Sequence, residues 1–226
     1  MKVTLVKASA TDEDVVQAAR VSTQGLESLG SDTKPAGLIN YLMRDRHGSP
    51  FEHTSFTFLV EAPIFVAREH MRHRAGWSYN EESGRYKELE GVFYKPGPER
   101  PLVQVGKAGA YQFESGTPAQ HHVVDRDFYS SYSWAFQHYR GMLDRGIARE
   151  VARMVLPVGI YTAYYATCNA RSLMHFLSLR TKADGAKFPS FPQEEIEKVA
   201  LQMEEAFGNA MPLTYLAYAN NGRVAP

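Results

Sequence analysis

An α+β fold, in which helices and a mainly antiparallel sheet form a single domain, is predicted by three observations. The chain has 226 residues, of which 44% are hydrophobic and 22% charged, so it can bury a core of its own without disulfide staples. Segments of period two alternate along the chain with segments of helical period, the mark of mixed secondary structure. No G-x-G-x-x-G follows a strand pattern, which removes a dinucleotide-binding Rossmann sheet. There is no internal repeat, low-complexity tract or long linker, so residues 1–226 are read as one domain.

The elements follow in order. Residues 2–7 alternate, with Val3 and Leu5 on one face of a strand. Thr11 with Asp14 forms a capping box that opens a helix through Val15, Ala18 and Ala19. Pro35 suits a first helical turn, Leu38 and Leu42 lie four apart, and Gly48 and Pro50 stop the segment, giving a helix over 36–46. From His53 to Glu61, Phe56, Phe58 and Val60 alternate with Ser55, Thr57 and Leu59, a strand buried on at least one face. Pro63 starts a helix with Ile64, Ala67 and Met71 on one stripe and Arg68 and Arg72 sharing a face, ending near Gly76. Phe128, Tyr132, Ala135, Phe136, Tyr139 and Leu143 keep helical spacing up to Gly146, and residues 148–156 predict another helix halted by Pro157. Ile160 to Thr167 is a strand rich in tyrosine and threonine. Asn169 caps the next helix, with Leu173, Phe176 and Leu177, and a final helix after Pro192 carries Ile196, Val199, Met203 and Phe207.

The charge balance is 25 basic to 25 acidic residues, which argues against whole-protein attraction to nucleic acid or to an anionic membrane. No apolar run approaches the roughly 20 residues of a membrane helix, and the N-terminus has no signal-peptide core, so a cytoplasmic location is expected. Cys168 is the one cysteine, which excludes an internal disulfide and a multi-cysteine metal knot. His70 with His73, and His121 with His122, bring no carboxylate or cysteine at zinc spacing, so no metal site is expected.

Two segments break the neutrality. Over residues 72–87, Arg72, His73, Arg74, Arg85 and Lys87 are interleaved with Glu81, Glu82, Asn80, Ser83 and the flat rings of Trp77, Tyr79 and Tyr86. Solvated surface pairing explains most such charge runs. Here short hydrogen-bonding residues, turn-forming glycines and aromatics favour a phosphorylated aromatic ligand. Over residues 149–180, Arg149, Arg153, Arg171 and Arg180 face one acid, Glu150, and the planar fork of arginine suits oriented binding of phosphate or a carbonyl edge.

Arg72-His73-Arg74 followed by Ser78-Tyr79-Asn80-Glu81-Glu82-Ser83-Gly84-Arg85-Tyr86 resembles the RHR, spacer, S-x-N-E-x-S-x-R-Y signature of flavin-dependent thymidylate synthases. His47-Gly48-Ser49-Pro50-Phe51-Glu52-His53, Ala152-Arg153 with Leu156-Pro157, and Asn169-Ala170-Arg171-Ser172-Leu173 with Leu179-Arg180 extend the resemblance over most of the chain. It implies that family's fold, a homotetramer with shared active sites, and methylation of dUMP. The carbon would come from methylenetetrahydrofolate, with FAD as cofactor and NADPH as reductant.

Residue by residue, the resemblance implies flavin contacts for His47, Ser49, Arg72, His73, Arg74, Glu81, Asn169, Arg171 and His175. It implies nucleotide contacts for Glu69, Arg72, Glu81, Glu82, Ser83, Gly84, Arg85, Arg153 and Arg180. Arg180, at the pyrimidine edge, and Ser83, beside the nucleotide, are the residues implied in the chemistry. Ser83 has no general base beside it and is expected to hydrogen-bond, not to attack carbon; Cys168 is expected in the core. The sequence departs from the family in four places. Ala75, Gly76 and Trp77 make a spacer of three where two is usual, so a bulge is expected. Glu69 stands for a glutamine and His175 for an asparagine, and residues 181–192 form a longer link, expected at the surface. The rival reading is a non-catalytic nucleotide- or nucleic-acid-binding module built on the same arginines.

Overall fold

The computed structural model describes residues 1–29, 34–107 and 110–226. In chain order the elements are β1 (Lys2–Ser9), α1 (Asp12–Gln24), α2 (Pro35–Arg44), β2 (Ser55–Pro63), α3 (Ile64–His70), β3 (Trp77–Glu81), β4 (Val103–Lys107), β5 (Ala110–Glu114), α4 (Pro118–Leu143), α5 (Arg149–Ala152), β6 (Tyr161–Cys168), α6 (Ala170–Arg180), α7 (Glu194–Ala210) and α8 (Pro212–Asn220). Short 3-10 turns lie at Gly25–Leu29, Ser49–His53 and Arg153–Val155. One sheet has the strand order β1-β2-β6-β3, and β4 and β5 form a separate antiparallel hairpin. β1 and β2 are antiparallel, from Lys2 opposite Glu61 to Ser9 opposite Ser55, with a register shift between Leu5 and Lys7. The α+β class and the antiparallel pairing are as the sequence predicts.

The chain gathers into two compact units, residues 1–61, 69–80 and 164–226 in the first and 62–68 and 81–163 in the second. In the first, the alternation of β2 buries Phe56, Phe58 and Val60 completely, and Phe56 meets the ring of Phe207 edge-on at 6.1 Å. Helix α6 buries Leu173, Phe176 and Leu177, and α7 buries Ile196, Val199, Met203 and Phe207. The Thr11–Asp14 capping box opens α1 as expected. Asp12 then accepts from the backbone N–H of Leu213 at 2.9 Å and of Thr214 at 2.8 Å, satisfying the free donors at the start of α8. In the second unit, Tyr132 stacks on Phe93 with ring centres 4.6 Å apart, and the Tyr139 hydroxyl accepts from the Leu89 N–H at 3.0 Å.

Several expectations are corrected. α3 stops at His70, so Arg72 is not on a helix and does not share a helical face with Arg68. The long helix starts at Pro118, because Thr117 and Gln120 form a capping box ten residues before the apolar spacing becomes regular. Residues 149–152 make one α turn and residues 153–155 a 3-10 turn, too short for the single helix expected over 148–156. β3, the β4–β5 hairpin and α8 are elements that the sequence patterns do not predict. Residues 181–192 are irregular and mostly exposed, as expected.

Candidate active site

In the first unit the Arg72-His73-Arg74 triplet sits in a tight turn after α3. The N–H groups of Arg72 and His73 donate to the carbonyls of Glu69 at 3.3 Å and His70 at 3.0 Å. Helix ends leave carbonyls without partners. Here the Tyr79 hydroxyl supplies a donor, lying 3.0 Å from the His70 oxygen and 2.9 Å from the His73 oxygen. Gly76 takes φ +69, and a Cβ there would collide with the Ser172 hydroxyl. That hydroxyl donates to the Ala75 carbonyl at 2.9 Å, while the Asn169 side-chain oxygen caps α6 by accepting from the Ser172 N–H at 2.8 Å. The extra spacer residue is therefore absorbed without a loose bulge. Ala75 and Gly76 make a turn stapled to the start of α6, and Trp77 begins β3, its ring stacked 5.7 Å from Tyr79.

Arg180, at the end of α6, donates from Nε to His73 Nε2 at 3.1 Å and from a terminal nitrogen to Glu69 Oε2 at 2.9 Å. Burial, aided by the Arg180 charge, pushes the His73 imidazole down to about 4, so the ring is neutral at neutral pH. His70 is fully buried, with Nδ1 2.9 Å from the Tyr164 hydroxyl and Nε2 without a partner among the described residues, and burial takes it to about 3. Burial raises the Glu69 carboxyl, opposed by Arg180. His175 is lowered by burial and by the charges of Arg171 and Arg46.

A cavity of about 510 Å³ in this unit is lined by His73, Arg74, Gly76, Asn169, Arg171 and His175, among others. Arg171 is already engaged, with Glu52 at 2.5 Å and the Pro226 carbonyl at 2.6 Å. Gly48 lies so close that a Cβ there would stand 2.6 Å from the Arg171 guanidinium, whereas His47 stacks on Tyr41 with ring centres 5.5 Å apart, and neither His47 nor Ser49 lines the cavity. Arg72 and Arg74 are exposed and have no acidic partner among the described residues. The structure thus brings seven of the implied flavin and nucleotide residues into one neighbourhood: Glu69, His73, Arg74, Asn169, Arg171, His175 and Arg180.

The second unit carries the other cluster. Glu81 accepts from the Thr162 hydroxyl at 2.7 Å, and Glu82 accepts from the Ala163 N–H at 3.0 Å while pairing with Lys87 at 2.9 Å. Both carboxylates tie the turn to β6. Residues 83–87 then wind tightly, the Tyr86 N–H donating to the Ser83 carbonyl at 3.0 Å and the Arg85 N–H to the Ser83 hydroxyl at 3.3 Å. No base contacts that hydroxyl among the described residues. Gly84 is buried with no room for a side chain, since a Cβ would lie 2.9 Å from Leu89 and 3.3 Å from the aliphatic stem of Arg153. Arg85 pairs with Glu150 at 3.1 Å, and Arg153 is exposed without an acidic partner among the described residues.

Comparison with known proteins decides what this arrangement belongs to. The sequence profile of Thy1, thymidylate synthase complementing protein, matches residues 4–213. The chain belongs to this family. Among its relatives, the flavin-dependent thymidylate synthases of Streptomyces avermitilis and Tropheryma whipplei (strain TW08/27) are 62% and 52% identical, each alignment covering 99% of this chain and 93% and 94% of the respective relative. A UMP/dUMP methylase, PolB, from Streptomyces cacaoi, solved with 5-Br dUMP, superimposes with a TM-score of 0.93 at 54% identity, covering all of this chain and 97% of that one.

Within the family frame, three residues emerge whose structural work the sequence reading missed: His70, Tyr79 and Ser172. From the sequence, His70 is a candidate only for a metal set it does not complete, and Tyr79 offers a flat ring. The sequence signal for both was their place in an aromatic-rich segment, where buried polar tips need partners. Cys168 lies in the core as expected, its thiol held in the neutral form by burial. Among the described residues, no group of three or more histidine, cysteine or acidic side chains could hold a metal ion, and no helix is long and apolar enough to cross a membrane.

Proposed function

We propose that this chain catalyses the reaction dUMP + methylenetetrahydrofolate + NADPH + H⁺ → dTMP + tetrahydrofolate + NADP⁺, with FAD as its redox cofactor. The observation that carries this reading is the cavity lined by His73, Arg74, Asn169, Arg171 and His175, set in a chain whose relatives are flavin-dependent thymidylate synthases. Bound FAD supplies the two-electron transfer that brings a one-carbon unit to the methyl level, which no side chain can perform.

The donor set fits such a group. Arg72 and Arg74, free of acidic partners among the described residues, would neutralise the pyrophosphate. His73 and His175, held toward the neutral form, would hydrogen-bond or pack on the ring system. Gly76 lets the turn close against Ser172 and Asn169, which any side chain would block, and so fixes the cavity wall. Asn169 keeps its amide nitrogen available while its oxygen caps α6, and Arg171 keeps one terminal nitrogen. His47 and Ser49 would act at the Gly48 edge beside Arg171.

For the nucleotide, Arg153 and Arg85 would hold phosphate, with Ser83 and the Gly84 backbone as donors. Glu81 and Glu82 would act chiefly by holding that turn in shape. Arg180 would place positive charge where negative charge develops on the pyrimidine carbonyls, stabilising the ring as C5 becomes nucleophilic. Glu69 would serve by holding Arg180 in addition to any nucleotide contact. Neither Ser83 nor Cys168 is needed as a covalent nucleophile. We further place the enzyme in the cytoplasm as one catalytic domain assembled into a homotetramer whose active sites are shared between subunits. Exposed apolar side chains such as Leu26, Trp134 and Met154 supply surface for such contacts.

A purified protein with flavin absorbance that bleaches on adding NADPH supports this reading. A colourless protein that gains no visible absorbance with FAD refutes it. The presence of a UMP/dUMP methylase among the relatives makes UMP the alternative substrate, and comparing turnover of the two nucleotides separates them.

A further inference from the structure

We propose that Arg180 and Glu69 form a positioning pair that fixes His73 as its Nδ1–H tautomer, so that the ring offers the ligand of the adjoining cavity a hydrogen-bond donor. The geometry leaves one consistent assignment of protons. A guanidinium N–H only donates, and arginine stays protonated in proteins. With Arg180 Nε 3.1 Å from His73 Nε2, that imidazole nitrogen must be the acceptor and carries no hydrogen. A neutral ring then holds its proton on Nδ1, which has no hydrogen-bond partner among the described residues. Turning the ring over would set a carbon-bound hydrogen against the arginine N–H, donor against donor, so the flipped ring is excluded on the same ground.

The guanidinium cannot swing away freely, because Glu69 Oε2 holds a terminal nitrogen at 2.9 Å from a second direction. The ion pair is largely sheltered, its side chains 22% and 27% exposed, so the hold is less screened than a surface pair. On the other side, the His73 ring meets Phe176 edge-on at 4.9 Å, which limits its rotation. Arg180 at the same time keeps the positive charge nearby that disfavours a second proton on the ring. His73 is thereby set to donate a hydrogen bond to an acceptor on a ligand and is removed as a source of protons at neutral pH. An aromatic ligand with carbonyl oxygens or imine nitrogens along its edge is the matching chemistry. Identifying that ligand with FAD rests on the function proposed above, whereas the tautomer does not.

The test is nitrogen NMR of protein labelled with ¹⁵N-histidine, with the His73 signals assigned by their loss in His73→Asn. Two-bond couplings identify Nε2 as the ring nitrogen coupled to both carbon-bound protons. The expected result at pH 7.5 is Nε2 at the unprotonated position and Nδ1 at the protonated one, with and without added FAD. Glu69→Gln, which can still accept from Arg180, should keep that pattern and hold FAD affinity within about threefold. Glu69→Leu should give a mixture of tautomers and about tenfold weaker FAD binding, the scale of one lost charge-assisted hydrogen bond. An Nε2–H tautomer or an imidazolium in the unmodified protein overturns the inference, and this needs no variant to fold. A yellow, active enzyme showing Nε2–H would sink the inference and spare the function. A colourless protein showing Nδ1–H would sustain the inference and sink the function.

Discussion

The Arg72–Arg74 turn and the Glu81–Lys87 turn both carry basic side chains, and their surroundings treat charge differently. In the first, His70 is buried and His73 half-buried, both held neutral, and the ion pair of Arg180 with Glu69 has side chains 22% and 27% exposed, although Arg72 and Arg74 themselves are exposed. Its contacts are directional hydrogen bonds between groups with little freedom. In the second, Arg85 and Glu150 are 53% and 55% exposed, Lys87 is 54% exposed, and Arg153 has no acidic partner among the described residues. Exposed pairs of this kind contribute little to stability, about 0–1 kcal/mol, and are readily exchanged for a ligand. Under the proposed function, the difference suits two tasks: a preorganised wall for an aromatic cofactor, and an open cationic turn for a phosphorylated substrate.

The largest effect expected from breaking this contrast is that of Arg180→Ala. It removes the partner of both Glu69 and His73 and the charge proposed at the pyrimidine edge, so turnover should fall about 100-fold or more in a folded protein, measured as dTMP formed per enzyme. Arg153→Ala should weaken dUMP by about 10- to 100-fold, the range of a charge-assisted contact, while FAD affinity holds; calorimetry with each ligand reads the split.

Smaller effects sharpen it. Gly76→Ala forces a side chain into left-handed backbone against Ser172, at a cost of about 1–3 kcal/mol, and should lower FAD affinity with little change in dUMP binding. Acid should destabilise the fold through the buried histidines. His70 and His73 titrate at about 3 and about 4 when folded and near 6.5 when unfolded, so between those values the unfolded chain binds more protons. Their contribution is complete above pH 6.5 and is lost as pH falls toward 4 and then 3. The loss amounts to about 1 kcal/mol per histidine between pH 7 and 5.5, read from denaturant midpoints. His70→Phe should flatten that slope. The smallest change expected is Cys168→Ser, which should cost about 1 kcal/mol of stability and leave substantial dTMP synthesis.

Much of this was legible in the sequence where one physical cause dominated. The alternation of Phe56, Phe58 and Val60 marks a strand because period two has one simple explanation, and Asn169 is a helix cap because its side chain competes for exposed N–H groups. The RHR and S-x-N-E-x-S-x-R-Y blocks pointed to the two clusters. What stayed hidden depends on contacts far apart in sequence. α3 stops at His70 where helical spacing continues, and its last carbonyls are taken by the Tyr79 hydroxyl and by the N–H groups of Arg72 and His73. β3 carries the polar run Ser78-Tyr79-Asn80-Glu81, so its strand character comes from pairing in the sheet and not from its own pattern. The partnership of Glu69, His73 and Arg180 spans 111 residues and has no local signal at all.

The most direct test of the central claim is the product pair of a single incubation. Purified protein with FAD, dUMP, methylenetetrahydrofolate and NADPH, kept without oxygen, should yield dTMP and tetrahydrofolate in equal amounts, each quantified by mass spectrometry. Dihydrofolate in place of tetrahydrofolate, or dTMP formed equally well without flavin and NADPH, would mean that the folate and not a flavin provides the hydride, and would contradict the account.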